Sequence, residues 1–183
     1  MKKIKKALIS VSNKEELTGR YVETTSDNFS RTMHISCFSF TKIAQLARPL
    51  MAEKGGSLVT LSFYGAERVI PSYNVMGVAK AGLEASVRYL AADLGPENIR
   101  VNAISAGPMR TLAGSAIAGA RKIFSQAEAN APLRRSVTLE QIGGAALYLL
   151  SDLSAGVTGE THHVDSGYHI VGLPYNSVTS VRD

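Results

Sequence analysis

The chain has 183 residues, of which 45% are hydrophobic and 19% charged, enough apolar material for one sizeable core and too little for two. The net charge of +5 is concentrated at one end, where Lys2, Lys3, Lys5 and Lys6 stand together, and no aromatic residue interleaves them as stacking on nucleic-acid bases would require. A single cysteine, Cys37, excludes an internal disulfide, the scattered His34, His162, His163 and His169 lack the spacing of a zinc site, and no apolar run approaches the roughly 18 residues of a membrane span.

The first apolar run, Ala7 to Val11, is too short for the core of a signal peptide, so a soluble, cytoplasmic protein is expected, and the run itself reads as a buried strand. A helix is predicted to open at Ser26 or Asp27, either of which can cap free amides. It carries Phe29, Met33, Ile35, Phe38, Ile43 and Leu46 and stops near Gly55 and Gly56, with Pro49 bending or ending it early. Ser57 to Phe63 reads as a second strand. Asn74 to Leu94, rich in Ala, Leu, Glu and Lys and followed by Gly95 and Pro96, reads as a long helix with its stop signal. A third strand from Ile99 to Ala106 precedes a helix from Ala113 to Ala129. Thr138, with Gln141 three positions on, forms a capping-box signature for a last helix ending near Asp152, and a short strand follows at His163 to Asp165.

Strands alternating with helices predict an α/β protein with a parallel sheet of about four strands and helices on both faces. No linker interrupts residues 1–173, which are expected to form a single domain; the tail from Pro174 to Asp183 reads as frayed.

Tyr73 stands at the mouth of the long helix and Lys80 lies seven residues further on. At about 100° per residue that is about 700° of rotation, close to two full turns, so both side chains share one face with their Cα atoms about 10 Å apart. A division of labour follows, in which Lys80 binds a cofactor hydroxyl and Tyr73 faces a substrate carbonyl, its pKa lowered by the nearby positive charge. Taken alone, the same pair also reads as a half-buried tyrosine and a solvated lysine.

The surrounding sequence is more specific. The runs LSFYGAERVIPSYNVMGVAK (61–80), IRVNAISAGPMRT (99–111) and GETHHVDSG (159–167) closely resemble the NADH-dependent enoyl-acyl carrier protein reductases, a branch of the short-chain dehydrogenase/reductase superfamily whose tyrosine and lysine are separated by six residues. The resemblance extends from about Ala7 to Gly172. It implies a Rossmann-type fold of which this chain begins at the fourth strand, so that the first, nucleotide-binding half is missing, and it implies Tyr73 as the essential tyrosine and Lys80 as the lysine holding the nicotinamide ribose. It also implies Pro108 and Met109 beside the nicotinamide of NADH, Thr111 on its pyrophosphate, and Ile9 as the one residue carried over from the family's Ser-Ile-Gly/Ala segment. Gly107-Pro108 also reads as a plain turn. Ile117 and Ile123 match a mobile lid over the acyl chain, or equally an ordinary packing helix. The partners implied are an enoyl thioester on acyl carrier protein and further copies of the chain, as a dimer or tetramer, with no nucleic acid and no membrane.

The sequence also departs from the family. Phe63 stands where a second family tyrosine would be, with Tyr64 adjacent, and nothing in the chain offers the Gly-rich turn whose amides cradle a pyrophosphate. Cofactor binding is therefore expected to be weakened or lost. Two functions follow: an enoyl reductase of fatty acid biosynthesis, or a non-catalytic remnant that folds and associates without turning over.

Overall fold

In the computed structural model, the described residues are 6–9, 19–109 and 120–175. Four parallel strands lie in sequence order across one sheet, β1 (Lys6–Ile9), β2 (Gly56–Phe63), β3 (Ile99–Ala106) and β4 (Thr161–Val164). The β2–β3 ladder runs the full length of both strands, from Gly56 opposite Ile99 to Phe63 opposite Ala106, while β1 and β4 flank it with four paired residues each. Because every connection returns to start a parallel neighbour, all four strands end on the same edge, the edge where such sheets bind ligands.

Alternate residues of the central strands face opposite layers, as the two-residue period of a strand requires. On one face Leu58, Ile99, Val101 and Ala103 pack with Phe40, Ala44, Ala47 and Met51 of one helix and Leu83, Val87 and Ala91 of another. On the other face Val59 and Ile104 pack with Ile142, Ala146 and Leu149. At about 1.5–3 kcal/mol for each large apolar side chain fully buried, these two layers supply the main drive to fold. The predicted parallel sheet with helices on both faces is what forms.

The first helical arm is α1 (Ser26–Met33), a π-helical turn (His34–Phe38) and α2 (Ser39–Met51) in unbroken succession. Its cap is Thr25, whose side-chain oxygen accepts from the Asn28 amide at 3.2 Å, so neither Ser26 nor Asp27 fills that position. Pro49 lies inside α2, which ends early, two residues on at the buried Met51, and does not reach Gly55. The long helix α3 (Asn74–Leu94) has the predicted bounds, and a short 3-10 turn over Gly95–Glu97 closes it. Helix α4 (Ala120–Asn130) covers the second half of the predicted 113–129 helix, whose residues 113–119 lie outside the described set. Helix α5 (Leu139–Leu150) begins with the capping box read from the sequence, Thr138 accepting from the Gln141 amide while Gln141 Oε1 accepts from the Thr138 amide.

The last strand begins two residues earlier than predicted and ends at Val164. Beyond it, Tyr175 is fastened to α4: its amide donates to Asn130 Oδ1 at 2.8 Å and the Arg134 guanidinium lies 3.9 Å over its ring. Residues 10–11 of the first predicted strand and 176–183 of the predicted tail lie outside the described residues. Among the described residues no helix is long and apolar enough to cross a membrane, and no cluster of His, Cys, Asp and Glu could hold a metal ion.

Candidate active site

The site is built where β2 and β3 end. Beyond β2 the chain makes a 3-10 turn (Tyr64–Ala66) and a loop that delivers Tyr73 to the first position before α3, with its carbonyl accepting from the Met76 amide at 3.1 Å. The residues on either side of Tyr73 have left-handed backbone, Ser72 with φ 62° and Asn74 with φ 44°, a conformation that costs an L residue energy and persists only where the surroundings enforce it. The Tyr73 ring sits edge-on to Phe63, ring centres 5.0 Å apart. Its other wall is Gly65, where a Cβ would stand 2.6 Å from Tyr73 Cε1, and a Cβ on Gly77 would meet the Gly65 carbonyl oxygen at 2.9 Å. Two glycines thus make the slot that the ring occupies.

Tyr73 is buried, and among the described residues no hydrogen bond engages its hydroxyl. Burial raises its pKa above the ordinary tyrosine range and the Glu84 charge adds to that rise, so the expectation of a lowered pKa is corrected. The physical reason is that removing a phenolate from water is costly, and the Glu84 charge disfavours it further. Tyr73 is a neutral hydrogen-bond donor.

Lys80 is also buried, and its Nζ donates to the Leu61 carbonyl oxygen at 2.8 Å. Burial pulls its pKa down to about 8, against the opposing pull of Glu84. The solvated-lysine alternative is therefore excluded. One turn beyond, Glu84 is buried as well and accepts from Ser62 Oγ. Neither Ser62 nor Glu84 was singled out in the sequence, although the four-residue step from Lys80 to Glu84 is itself a signal that they share a helix face.

Pro108, buried, and the partly exposed Met109 follow directly on β3 at the same edge of the sheet. Gly107 is more than a plain turn residue, since a Cβ there would lie 2.7 Å from Asp165 Cα. The Asp165 carboxylate accepts from the Gly167 and His169 amides and contacts His169 Nδ1 at 2.9 Å, fixing the turn that follows β4. Tyr64, next to Phe63, has its hydroxyl engaged, donating to the His169 carbonyl oxygen at 3.0 Å. Ile9 lies at the end of β1, and Ile123, half-buried, lies on α4. Thr111 and Ile117 are outside the described residues.

A parallel sheet whose carboxyl edge carries Tyr73 and, one heptad on along the same helix, Lys80 has the Rossmann-type architecture of a short-chain dehydrogenase/reductase. Comparison with known proteins narrows this. A family model described as Enoyl-(Acyl carrier protein) reductase matches residues 4–169, and the chain belongs to that family. It is 63% identical over 175 residues to the enoyl-[acyl-carrier-protein] reductase [NADH] 2 of Rhizobium meliloti (strain 1021), covering 96% of this chain and 65% of that protein. It is 64% identical over 165 residues to reductase [NADH] 1 of the same organism, covering 90% of this chain and 60% of that one. Among solved structures, the enoyl reductase of Anaplasma phagocytophilum in complex with NAD superposes with a TM-score of 0.88 at 60% identity, over 94% of this chain and 66% of that one. The chain thus spans somewhat less than two thirds of the length of the curated relatives it matches.

Proposed function

We propose that this chain contributes the nicotinamide and substrate side of an NADH-dependent enoyl reductase, acting in the cytoplasm on a trans-2-enoyl thioester carried by acyl carrier protein. The observation that carries the reading is Tyr73, a buried phenol wedged between Phe63 and Gly65 whose hydroxyl has no partner among the described residues. The similarity to relatives named as NADH-dependent, and to one solved with NAD, supports the choice of cofactor.

The residues present suit that cofactor. A buried ammonium at the sheet's carboxyl edge matches a ribose hydroxyl, and Lys80 would hold it there; Pro108 and Met109 would bound the nicotinamide, Thr111 would meet the pyrophosphate, and Ile9 would line the same edge. Bound NADH would supply a hydride to Cβ of the enoyl thioester. As charge develops on the thioester oxygen, the Tyr73 hydroxyl donates a hydrogen bond to it, and a proton added at Cα completes the saturated acyl product. The strength of that hydrogen bond rises with the developing charge, which is what accelerates the step. Ile117 and Ile123 would bound the acyl chain. Residues 1–173 serve as one domain in this reading.

The test is reduction of a crotonyl thioester by NADH. Tyr73→Phe should lower turnover by about 10²-fold or more, the usual loss for one such donor, while leaving the unfolding midpoint in place because the hydroxyl it removes has no partner; unchanged turnover removes Tyr73 from the mechanism. Without a Gly-rich turn, the 183-residue chain should bind NADH more weakly than millimolar, about −4 kcal/mol or less. Micromolar affinity by calorimetry would overturn that. No turnover at any NADH concentration favours the second reading, a remnant that folds without catalysing.

A further inference from the structure

In the sheet β3 lies between β2 and β4, yet side chains from β4 and the turn beyond it reach the turn after β2. Glu67 Oε1 accepts from His163 Nε2 at 2.6 Å. Because a carboxylate offers only lone pairs, that ring nitrogen carries a proton. The His163 ring lies face to face with the His169 ring, centres 3.9 Å apart and planes 18° from parallel. His169 is fastened in turn, its Nδ1 at 2.9 Å and its backbone amide at 2.7 Å both donating to the buried Asp165 carboxylate. The two rings are closer than the offset or edge-on spacing that aromatic pairs ordinarily keep, and each is held there by a carboxylate on a different segment.

The turn gripped in this way is the one that floors the Tyr73 slot. Its own bonds are few, the Glu67 and Arg68 amides sharing the Tyr64 carbonyl oxygen. Both of its ends are held from the chain at and after β4. Tyr64 is held by its hydroxyl on the His169 carbonyl oxygen at 3.0 Å and by its ring standing edge-on to Tyr168, and Glu67 is held by His163. Between those ends lies Gly65, pressed against the Tyr73 ring. We propose that Glu67, His163, His169 and Asp165 form a clasp that fixes Gly65 under the Tyr73 ring, which makes Glu67 and His163 positioning residues for the tyrosine hydroxyl. This inference rests on the reading of Tyr73 as the donor to the thioester oxygen. No hydrogen bond among the described residues aims that hydroxyl, so its direction is set by the ring, and the ring is set by the slot. The clasp also bears on the loop after β3. There the Gly107 amide donates to the Val164 carbonyl oxygen at 2.9 Å, and a Cβ on Gly107 would stand 2.7 Å from Asp165 Cα.

The clasp can be read without turnover, from the ring resonances of tyrosine-labelled protein, with Tyr73→Phe identifying the Tyr73 signal. A ring gripped by its slot flips slowly. Glu67→Ala and His163→Ala should each make the Tyr73 ring flip about tenfold faster or more, the worth of one charge-assisted hydrogen bond. The double variant should flip no faster than either single one, because both remove the same contact. Glu67→Gln, whose amide oxygen still accepts from His163 Nε2, should keep the wild-type rate, and His169→Ala, which takes away the stacked ring, should act in the direction of His163→Ala. A clasp that merely braces the fold would lower the unfolding midpoint in these variants and leave the Tyr73 signal as it was, which overturns the proposal. If His163→Ala does not fold, an unmoved Tyr73 signal in Glu67→Ala overturns it instead. Turnover of the crotonyl thioester separates the two readings. Where Tyr73→Phe lowers turnover but the Tyr73 signal ignores the clasp variants, the clasp is overturned; where the variants free the ring but Tyr73→Phe leaves turnover unchanged, the clasp stands and the donor role of Tyr73 falls.

Discussion

Tyr73 is aimed by its surroundings at three points: left-handed backbone at Ser72, left-handed backbone at Asn74, and a ring slot floored by Gly65. The slot carries a prediction. A methyl at position 65 overlaps the ring, so Gly65→Ala forces the tyrosine out of place at a cost of about 1–3 kcal/mol, typical of overpacking. Urea unfolding would register that loss, and an unchanged midpoint would mean that the ring moves freely. Lys80 gives a second prediction at this scale. Its folded pKa of about 8 lies below the 10.5 of an unperturbed lysine, so between those values the unfolded chain binds more protons and stability rises with pH. The contribution is fully present above the unfolded pKa and is lost as pH falls through the folded one. At about 1.4 kcal/mol per pKa unit, the difference spans on the order of 3 kcal/mol. Wild type measured against Lys80→Met over that window should show this slope, and parallel curves would contradict the buried ammonium. The identity of both residues was legible in the sequence, from their spacing and neighbours. The direction of the Tyr73 shift was not, because desolvation depends on what Phe63, Gly65 and α3 cover, and a sequence does not state burial.

At the scale of elements, local chemistry separates what was readable from what was not. The α5 cap was read correctly because Thr138 and Gln141 stand alone at capping-box spacing. The first helix opens at Ser26 as read, but its cap is Thr25 and neither Ser26 nor Asp27, because Thr25, Ser26 and Asp27 are all capping types in succession, and only the course of the preceding chain chooses among them. Thr25→Ala should therefore cost about 1 kcal/mol, while Ser26→Ala should stay within about 0.5 kcal/mol of wild type. Equal losses in thermal or urea unfolding would refute that assignment. Pro49 was expected to end or bend its helix, since proline removes an amide and crowds the preceding turn. Burial of Ala47 and Met51 against the sheet carries the helix two residues past it, and α2 then ends at Met51, short of Gly55, so the early end read from Pro49 is what forms. The π-helical turn between α1 and α2 has no sequence signature that we recognise; Ser39, the first residue of α2, reaches back to it, its hydroxyl donating to the Ile35 carbonyl at 2.6 Å.

For the whole molecule, the helices that cover one face of the sheet carry more apolar surface than that face uses. Phe40 of α2 and Val87 of α3 are fully inside the core, and Leu90 packs partly against it. Helical period cannot separate a core-facing residue from a neighbour on the flank until the crossing of α2 and α3 is known. The surplus that remains is Phe29, Phe38 and Leu46 on the first arm and Val78 and Tyr89 on α3, the last with 76% of its surface exposed. Exposed aromatic and aliphatic residues gathered on neighbouring helices favour burial against another protein surface. We therefore predict that the chain self-associates as a dimer or tetramer through α1, α2 and α3. Sedimentation at micromolar concentration should give a species at a multiple of 19.5 kDa, and Tyr89→Lys with Leu46→Lys, which set charge into that surface without touching the core, should return it toward the monomer. A wild-type chain that sediments as a single 19.5 kDa species would refute the prediction, and dissociation that fails in the double variant would move the interface off these helices.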